Sequence, residues 1–521
     1  MNMGKIQAVF WGSMLIVPLA LTADQEPPIA PLLEGMGTHH HEVTTNSPQA
    51  QRYFDQGLVL AFGFNHKEAA RSFQQAQALD PECAMCFWGE ALVLGPNINA
   101  GMDAADNPRA YEAAQRALAL KDLVSERERA YIEALAQRYA AQAPDERSAL
   151  DQAYAEAMGE VARRFPDDPD AASLYAEALM DTTPWNYWEE SGAPKPATGI
   201  IISTLESVLA ERPDHPLANH LYIHTVEKAH PERGVAAADR LRDLVPGAGH
   251  LVHMPGHIYI RVGRYNDAVL ANEKAIEADD AYIAQCHAQG LYPVAYMPHN
   301  HHFLAAAASF IGDSGKALHA ARHMQAHQDQ QLMRKPGYTT LQHYWTMPYF
   351  ALVRFGRWED LLAQPEPDHD LLYPTGIWNY ARGVAQVRAG DIEGARESLA
   401  RLASIADDPE MEATRIWETN TMAEILSIAR ETLAGEIDLA RGMQDTAIGH
   451  FENAVRQEDD LIYVEPPDWY VPARHNLGAA PCEATPRPFG KRSGVAAPDW
   501  ENSSYAASLA TSPSIEKTPS V

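Results

Sequence analysis

Histidine can ligate a transition metal, move a proton near neutrality, or simply fill a polar gap in a core. The 22 histidines of this chain are unevenly spread. In "GHLVHMPGHIYIRVGRYNDA" (249–268) three of them, His250, His253 and His257, fall within eight residues. Spacings of three and four place all three on one face of a helix. Just upstream, "PLANHLYIHTVEK" (216–228) carries His220 and His224, four apart. His220 to His253 is 33 residues, and so is His224 to His257. His299, His302 and His343 follow. Two imidazoles at i and i+4 make a bidentate metal clamp, and a clamp on a neighbouring helix about 8–10 Å away can complete a four-nitrogen site. Imidazole suits Cu, Zn, Fe and Ni. Met254, Met297 and Met347 lie near the ladder, where they would suit Cu(I) or merely fill the core.

Other chemistries compete for the same residues. The set could line a groove that binds a peptide or small ligand by hydrogen bonding and stacking, or it could be a purely structural polar core. A metal ion with an open coordination position could also run hydrolysis or oxygen chemistry. No HExxH, GxSxG or P-loop pattern occurs to favour such an enzyme.

Whatever the chemistry, it must be positioned by repeats. "FGFNHKEAARSFQQAQALDP" (62–81) spaces Ala69, Phe73, Ala76 and Pro81 by four, three and five residues. "VGRYNDAVLANEKAIEAD" (262–279), "IGDSGKALHAARHM" (311–324), "FGRWEDLLAQ" (355–364) and "AGDIEGARESLARL" (389–402) share the form, and "MQDTAIGHFENAVRQ" (443–457) shares it more loosely. The small residues let two helices approach closely, and an aromatic residue at the turn plugs their joint. His66 holds that plug position in the first pair. One helix pair cannot bury its own apolar face, so pairs must stack.

These segments resemble the tetratricopeptide repeat over roughly residues 47–477. The resemblance implies an all-α, tetratricopeptide-like helical-hairpin solenoid, a right-handed superhelix of about eight to ten pairs. It also implies that positions two, five and nine of each first helix face a ligand in a concave groove. With Gly263 at position fifteen, His250, His253 and His257 take those places. With Gly312 there, His299 and His302 take two and five, and with Gly356 there His343 takes two. Counting on from Pro213 puts His220 and His224 at five and nine. The expected metal ligands are therefore His220, His224, His250, His253, His257, His299 and His302, with His343, Trp88, Asn97 and Asn99 along the same groove. "THHHEVTT" (38–45), "CAMCFWGEALVLGPNIN" (83–99) and the histidine segment together resemble a group of exported bacterial tetratricopeptide proteins. That likeness implies fold and export and supplies no activity.

Formal charge is −29, with 41 basic and 70 acidic residues. Such a surface repels phosphate backbones and attracts cations, so a nucleic-acid partner is not expected, whereas a protein or peptide partner in the groove is. Residues 1–23 read as a signal peptide: Lys5, then sixteen apolar-rich residues from Ile6 to Leu21, then Thr22 and Ala23. The run is shorter than the roughly 20 residues a spanning helix needs. A periplasmic or secreted protein without a membrane span after cleavage is expected. In that compartment Cys83 and Cys86 could form a disulfide or sit as two small buried residues.

Residues 24–46 form a His-containing arm. It reads as a polar linker, with fold-back to supply further ligands as the alternative. The loop "PWNYWEESGAPKP" (184–196) is long and aromatic enough to cap the groove. Residues 478–521 lack any apolar period and read as an irregular, disordered tail, or as the product of a reading-frame change that removed a capping repeat.

Overall fold

The computed structural model describes residues 28–189, 191–286 and 292–483, the last three without side chains. The expected signal peptide lies outside them. Among the described residues the chain is an α-solenoid of ten helix pairs, closed by the helix Ala473–Glu483. Its one sheet is a two-stranded antiparallel hairpin, Arg415–Ile416 with Asn420–Thr421. No helix among the described residues is long and apolar enough to cross a membrane.

The repeat positions read from the sequence are the positions that pack. Ala69, Phe73, Ala76, Ala268, Ala275, Ala317, Ala395 and Leu402 are fully buried. The turn glycines Gly263, Gly312, Gly390 and Gly442 have φ between 76° and 82°, and nothing would touch a β-carbon added to them. Their requirement is thus conformational: each ends a first helix in the left-handed region, where a side chain costs about 1–2 kcal/mol. In the first pair Phe64 occupies this slot at φ 55°. Its ring points to the histidines, as described below.

Pro255 divides the sixth inner helix into Gly249–His253 and Pro255–Arg261, because proline has no N–H to continue the ladder. The tail boundary expected at 478 is corrected. Helix Ala473–Glu483 runs through it, because Ala473 and Ala480 seat against the preceding pair, Ala480 beside Ala447 and Phe451. Residues 484–521 lie outside the described residues.

The arm is not a linker. Ala30 is fully buried, Leu33 donates its N–H to Gln56, Thr44 donates twice to Glu128 at 2.6 Å, and Gly247 donates to the Gly35 carbonyl at 2.9 Å. Residues far apart along the solenoid are thereby tied together by one strand of chain.

The fully buried Phe73 ring lies in a notch cut by two glycines. A β-carbon on Gly89 would stand 2.4 Å from it and one on Gly57 2.8 Å. Gly89→Ala should therefore overpack the first repeat and lower unfolding free energy by about 1–3 kcal/mol, read as a fall in thermal midpoint. An unchanged midpoint would show that the notch has slack.

Candidate metal centre

The histidines expected on separate rungs converge. Helix Pro216–Val226 supplies His220 and His224, the split helix 249–261 supplies His250, His253 and His257, and helix Met297–Phe310 supplies His299 and His302. Two triads result, His220/His224/His250 and His253/His257/His299, each with ligand atoms within 4.8 Å of one another. They abut: the rings of His224 and His257 are 5.5 Å apart and those of His250 and His253 5.8 Å. His302 and His343 continue the row, ring centres 5.9 Å apart.

Most of this face is closed, contrary to the expected open groove, and His299 alone of the row is only partly buried. His220, His253 and His343 have no exposed surface, and His224, His250, His257 and His302 have 3% or less. Three things cover them. Phe64, held left-handed, presses its ring to 4.6 Å from His220 and 5.5 Å from His250. The expected capping loop does cap, with Trp185 5.0 Å from His224 and Trp188 donating to the Thr225 carbonyl. From the other end comes a strap, residues 463–471, whose Trp469 is buried against Phe350 and Tyr380. The strap brings Glu465 to 3.2 Å from His257 Nδ1 and Asp468 to 3.8 Å from His343 Nε2.

Each ring's second nitrogen fixes what the first can do. His220 Nδ1 donates to the Phe62 carbonyl at 2.6 Å, leaving Nε2 as a lone pair with no partner. His253 Nδ1 donates to Asn272 Oδ1 at 2.7 Å, and the Asn272 amide is oriented by its own bond to Ala268. A β-carbon on Gly256 would meet that amide at 2.9 Å, so glycine there admits Asn272. His257 Nδ1 faces two carboxylates, Glu227 at 2.9 Å and Glu465 at 3.2 Å. The two remaining Nε2 atoms, of His253 and His257, stand 3.0 Å apart. Both nitrogens of His224, His250 and His302 are buried without a hydrogen bond. His250 is held through its backbone, whose N–H donates to Tyr292, which in turn donates to Asp279.

Burial pushes His220, His224, His250, His253, His299 and His302 below the ordinary imidazole value; neighbouring rings add to this, His257 for His224 (where Glu227 opposes it) and His343 for His302. They are neutral at pH 7. Burial opposes a charge on His257 too, but Glu227 and Glu465 outweigh it and lift the ring to about 9. Burial alone would raise Glu227, yet His257 and His224 hold it down at about 2.

The groove residues expected near the first repeats separate. Trp88 is buried beside Tyr131 and lines no groove, because its helix Ala84–Leu94 is packed all round. Asn97 shapes its own loop, accepting from the N–H of Asn99 and of Ala100. Asn99 is exposed beside Tyr296, whose ring is 4.8 Å from His250. Cys83 and Cys86 are joined as a disulfide, buried at the start of that helix.

Sequence reading passed over Glu227, Asn272, Glu465 and Asp468. Only Glu227, three residues from His224, carried a local signal. It also missed a second cluster, where the arm meets the body. Asp170, in the first turn of helix Pro169–Asp181, receives His41 Nδ1 at 2.7 Å and His215 Nε2 at 3.1 Å, with His39 Nε2 also at 3.1 Å. His215 Nδ1 caps the next inner helix by accepting from the Ala218 N–H, so its Nε2 carries the proton that Asp170 accepts. The cluster is a pin for the arm.

No family model matches the chain, and no curated protein does. Among solved structures, the human IFIT1 dimer with m7Gppp-AAAA is 13% identical over 80% of this chain and 92% of that one, at a TM-score of 0.34. Yeast Tom70 is 13% identical over 84% and 90%, at 0.29. The APC/C hetero-tetramer Cut9–Hcn1 is 12% identical over 83% and 76%, at 0.31. At such scores none of them bears on what this chain binds.

The pin sets a pH dependence. Burial would lower His41, but Asp170 outweighs it and raises the ring, so its contribution is full below about 6.5 and is lost as pH climbs through the raised value. Burial would raise Asp170, but His215, His39 and His41 hold it well below the ordinary value, so its contribution is present above about 3.9 and is lost as pH falls through the lowered value. The arm should resist protease best between about pH 4 and 6.5 and be cut faster at pH 8. His41→Ala should flatten that profile, and a flat wild-type profile would refute the pin.

Proposed function

We propose that this chain is an exported tetratricopeptide-type scaffold that binds a transition-metal ion, of the Cu, Zn, Fe or Ni class, in a buried histidine centre. One observation carries the reading. His253 commits Nδ1–H to Asn272, and beside its Nε2 the nitrogens of His220, His224 and His250 gather within 4.8 Å of one another with Nε2 of His220 and both nitrogens of His224 and His250 unpartnered. The charged His257 ring places its Nε2 3.0 Å from that of His253, and a metal ion would take the position of the proton between them. Tetrahedral Zn–N bonds of about 2.0–2.1 Å set two nitrogens about 3.3 Å apart, close to the spacing found. A single proton could bridge this pair, but it would leave the unpartnered nitrogens of His220, His224 and His250 beside it without a role.

The outer partners match what metal-bound imidazoles use. A carbonyl, an amide oxygen and a carboxylate pair back His220, His253 and His257, fixing the tautomer and the ring. Glu227 and Glu465 add negative charge that offsets that of an ion. A peptide in the groove is disfavoured at these rings, because Phe64, the loop carrying Trp185 and the strap already cover them. The helical-repeat surface elsewhere is the kind on which protein partners dock.

Full-length protein purified without a tag should carry metal by elemental analysis. His253→Ala/His257→Ala should lose it while the circular-dichroism spectrum stays helical, since alanine is the better helix former. Asn272→Ala removes only the support of His253 and should weaken binding about 10–100-fold. His66→Ala, at the joint of the first pair, should cost stability and keep the metal. Equal metal content in wild type and the His253/His257 variant would end this reading.

Export rests on residues 1–23 and on a disulfide suited to an oxidising compartment. The envelope protein's first residue should be Asp24. A cytoplasmic chain that retains Met1 would contradict it.

A further inference from the structure

A second group of histidines lies on the opposite side of helix Met297–Phe310 from the buried row. His301, between His299 and His302 on neither of their faces, points toward helix Ser314–Ala326. That helix and its C-cap present His319, His323 and His327 at i, i+4 and i+8, one above the other on one face. The rings have gathered. His301 and His323 stack at 4.1 Å between centres, and His323 and His327 at 4.0 Å. Unlike the buried set, this strip reaches water: His319 and His327 are exposed, and His301 and His323 half-buried.

The nitrogens are arranged for ligation. His327 Nδ1 donates to the His323 carbonyl at 2.8 Å, so its Nε2 is a lone pair, the arrangement in which a backbone carbonyl supports a metal-bound ring. His301 Nδ1 and His323 Nδ1 are buried and have no partner. The χ2 torsion of histidine is broad and roughly two-fold, so the rings can turn edge-on to an ion without moving the helices. Imidazoles one turn apart then bind as a clamp, and His301 from the neighbouring helix supplies a third nitrogen. The chain's formal charge of −29 favours cations at an exposed site.

We infer that His301, His319, His323 and His327 form a second transition-metal site, facing solvent and separate from the buried centre, for Cu2+ or Zn2+. Fewer enclosing groups and open access make it the weaker and faster-exchanging of the two.

The test is a calorimetric titration of metal-free full-length protein with Zn2+, and separately with Cu2+, against His319→Gln/His323→Gln/His327→Gln. Glutamine keeps the helix and the polarity of an exposed face. The variant should lose one equivalent of weak binding, with any tight equivalents unchanged. A second readout follows carbethoxylation of His319 and His327 by peptide mass mapping, which Zn2+ should slow in the wild type. If the buried centre takes no metal, the wild type binds one equivalent and the variant none, so the two proposals fail separately. Equal equivalents in both proteins, no protection by Zn2+, or loss of the tight equivalents in the variant would each overturn the surface site.

Discussion

Two imidazole nitrogens 3.0 Å apart, set among buried ring nitrogens that have no hydrogen-bond partner, are the constraint around which this molecule is arranged. Taken out of water, a polar atom without a partner costs on the order of 1–3 kcal/mol. Here several such atoms are gathered: Nε2 of His220, and both nitrogens of His224, His250 and His302. A core of this kind can persist only if something compensates it, and the supporting groups point to a cation. Asn272 and the Phe62 carbonyl orient neutral rings, and Glu227 and Glu465 bring negative charge beside the raised His257 ring.

The rest of the fold can be understood as the means of keeping water from that cluster. A solenoid by itself leaves its inner face open. This one is closed by segments outside its repeats: the loop carrying Trp185 and the strap carrying Glu465 and Asp468, while the arm is pinned nearby on Asp170. Phe64 shows the same bias within a repeat. It holds a left-handed turn that glycine takes in later pairs, and so accepts backbone strain to set an aromatic ring against His220 and His250. Gly256 does the reverse, giving up a side chain so that Asn272 can reach His253. Local rules are broken where the centre requires it and kept elsewhere.

Much was legible in the residue spacing. Helical periodicity with alanine at the close contacts and glycine at the turns specifies hairpins that stack, and the 33-residue offset between His220/His224 and His253/His257 places them on adjacent inner faces. The arm was misjudged because "THHHEVTT" has the composition of a linker. What orders it is Asp170, a partner about 130 residues away that composition cannot reveal. Trp88 was misassigned for the converse reason: an aromatic residue near a loop suggests a groove, but its helix is buried on every side.

The sequence by itself determined which residues are helical, which face each histidine occupies and which turns must be left-handed. These follow from chemistry within about thirty residues, where side-chain period and backbone sterics act directly. Tertiary structure alone decided that the groove is closed, that Glu227, Glu465, Asn272 and Phe62 set the proton on each ring, and that His253 and His257 meet nitrogen to nitrogen. Those outcomes depend on segments over two hundred residues apart arriving at one place. No local pattern records that distance, because the energy that settles it comes from removing all of them from water together.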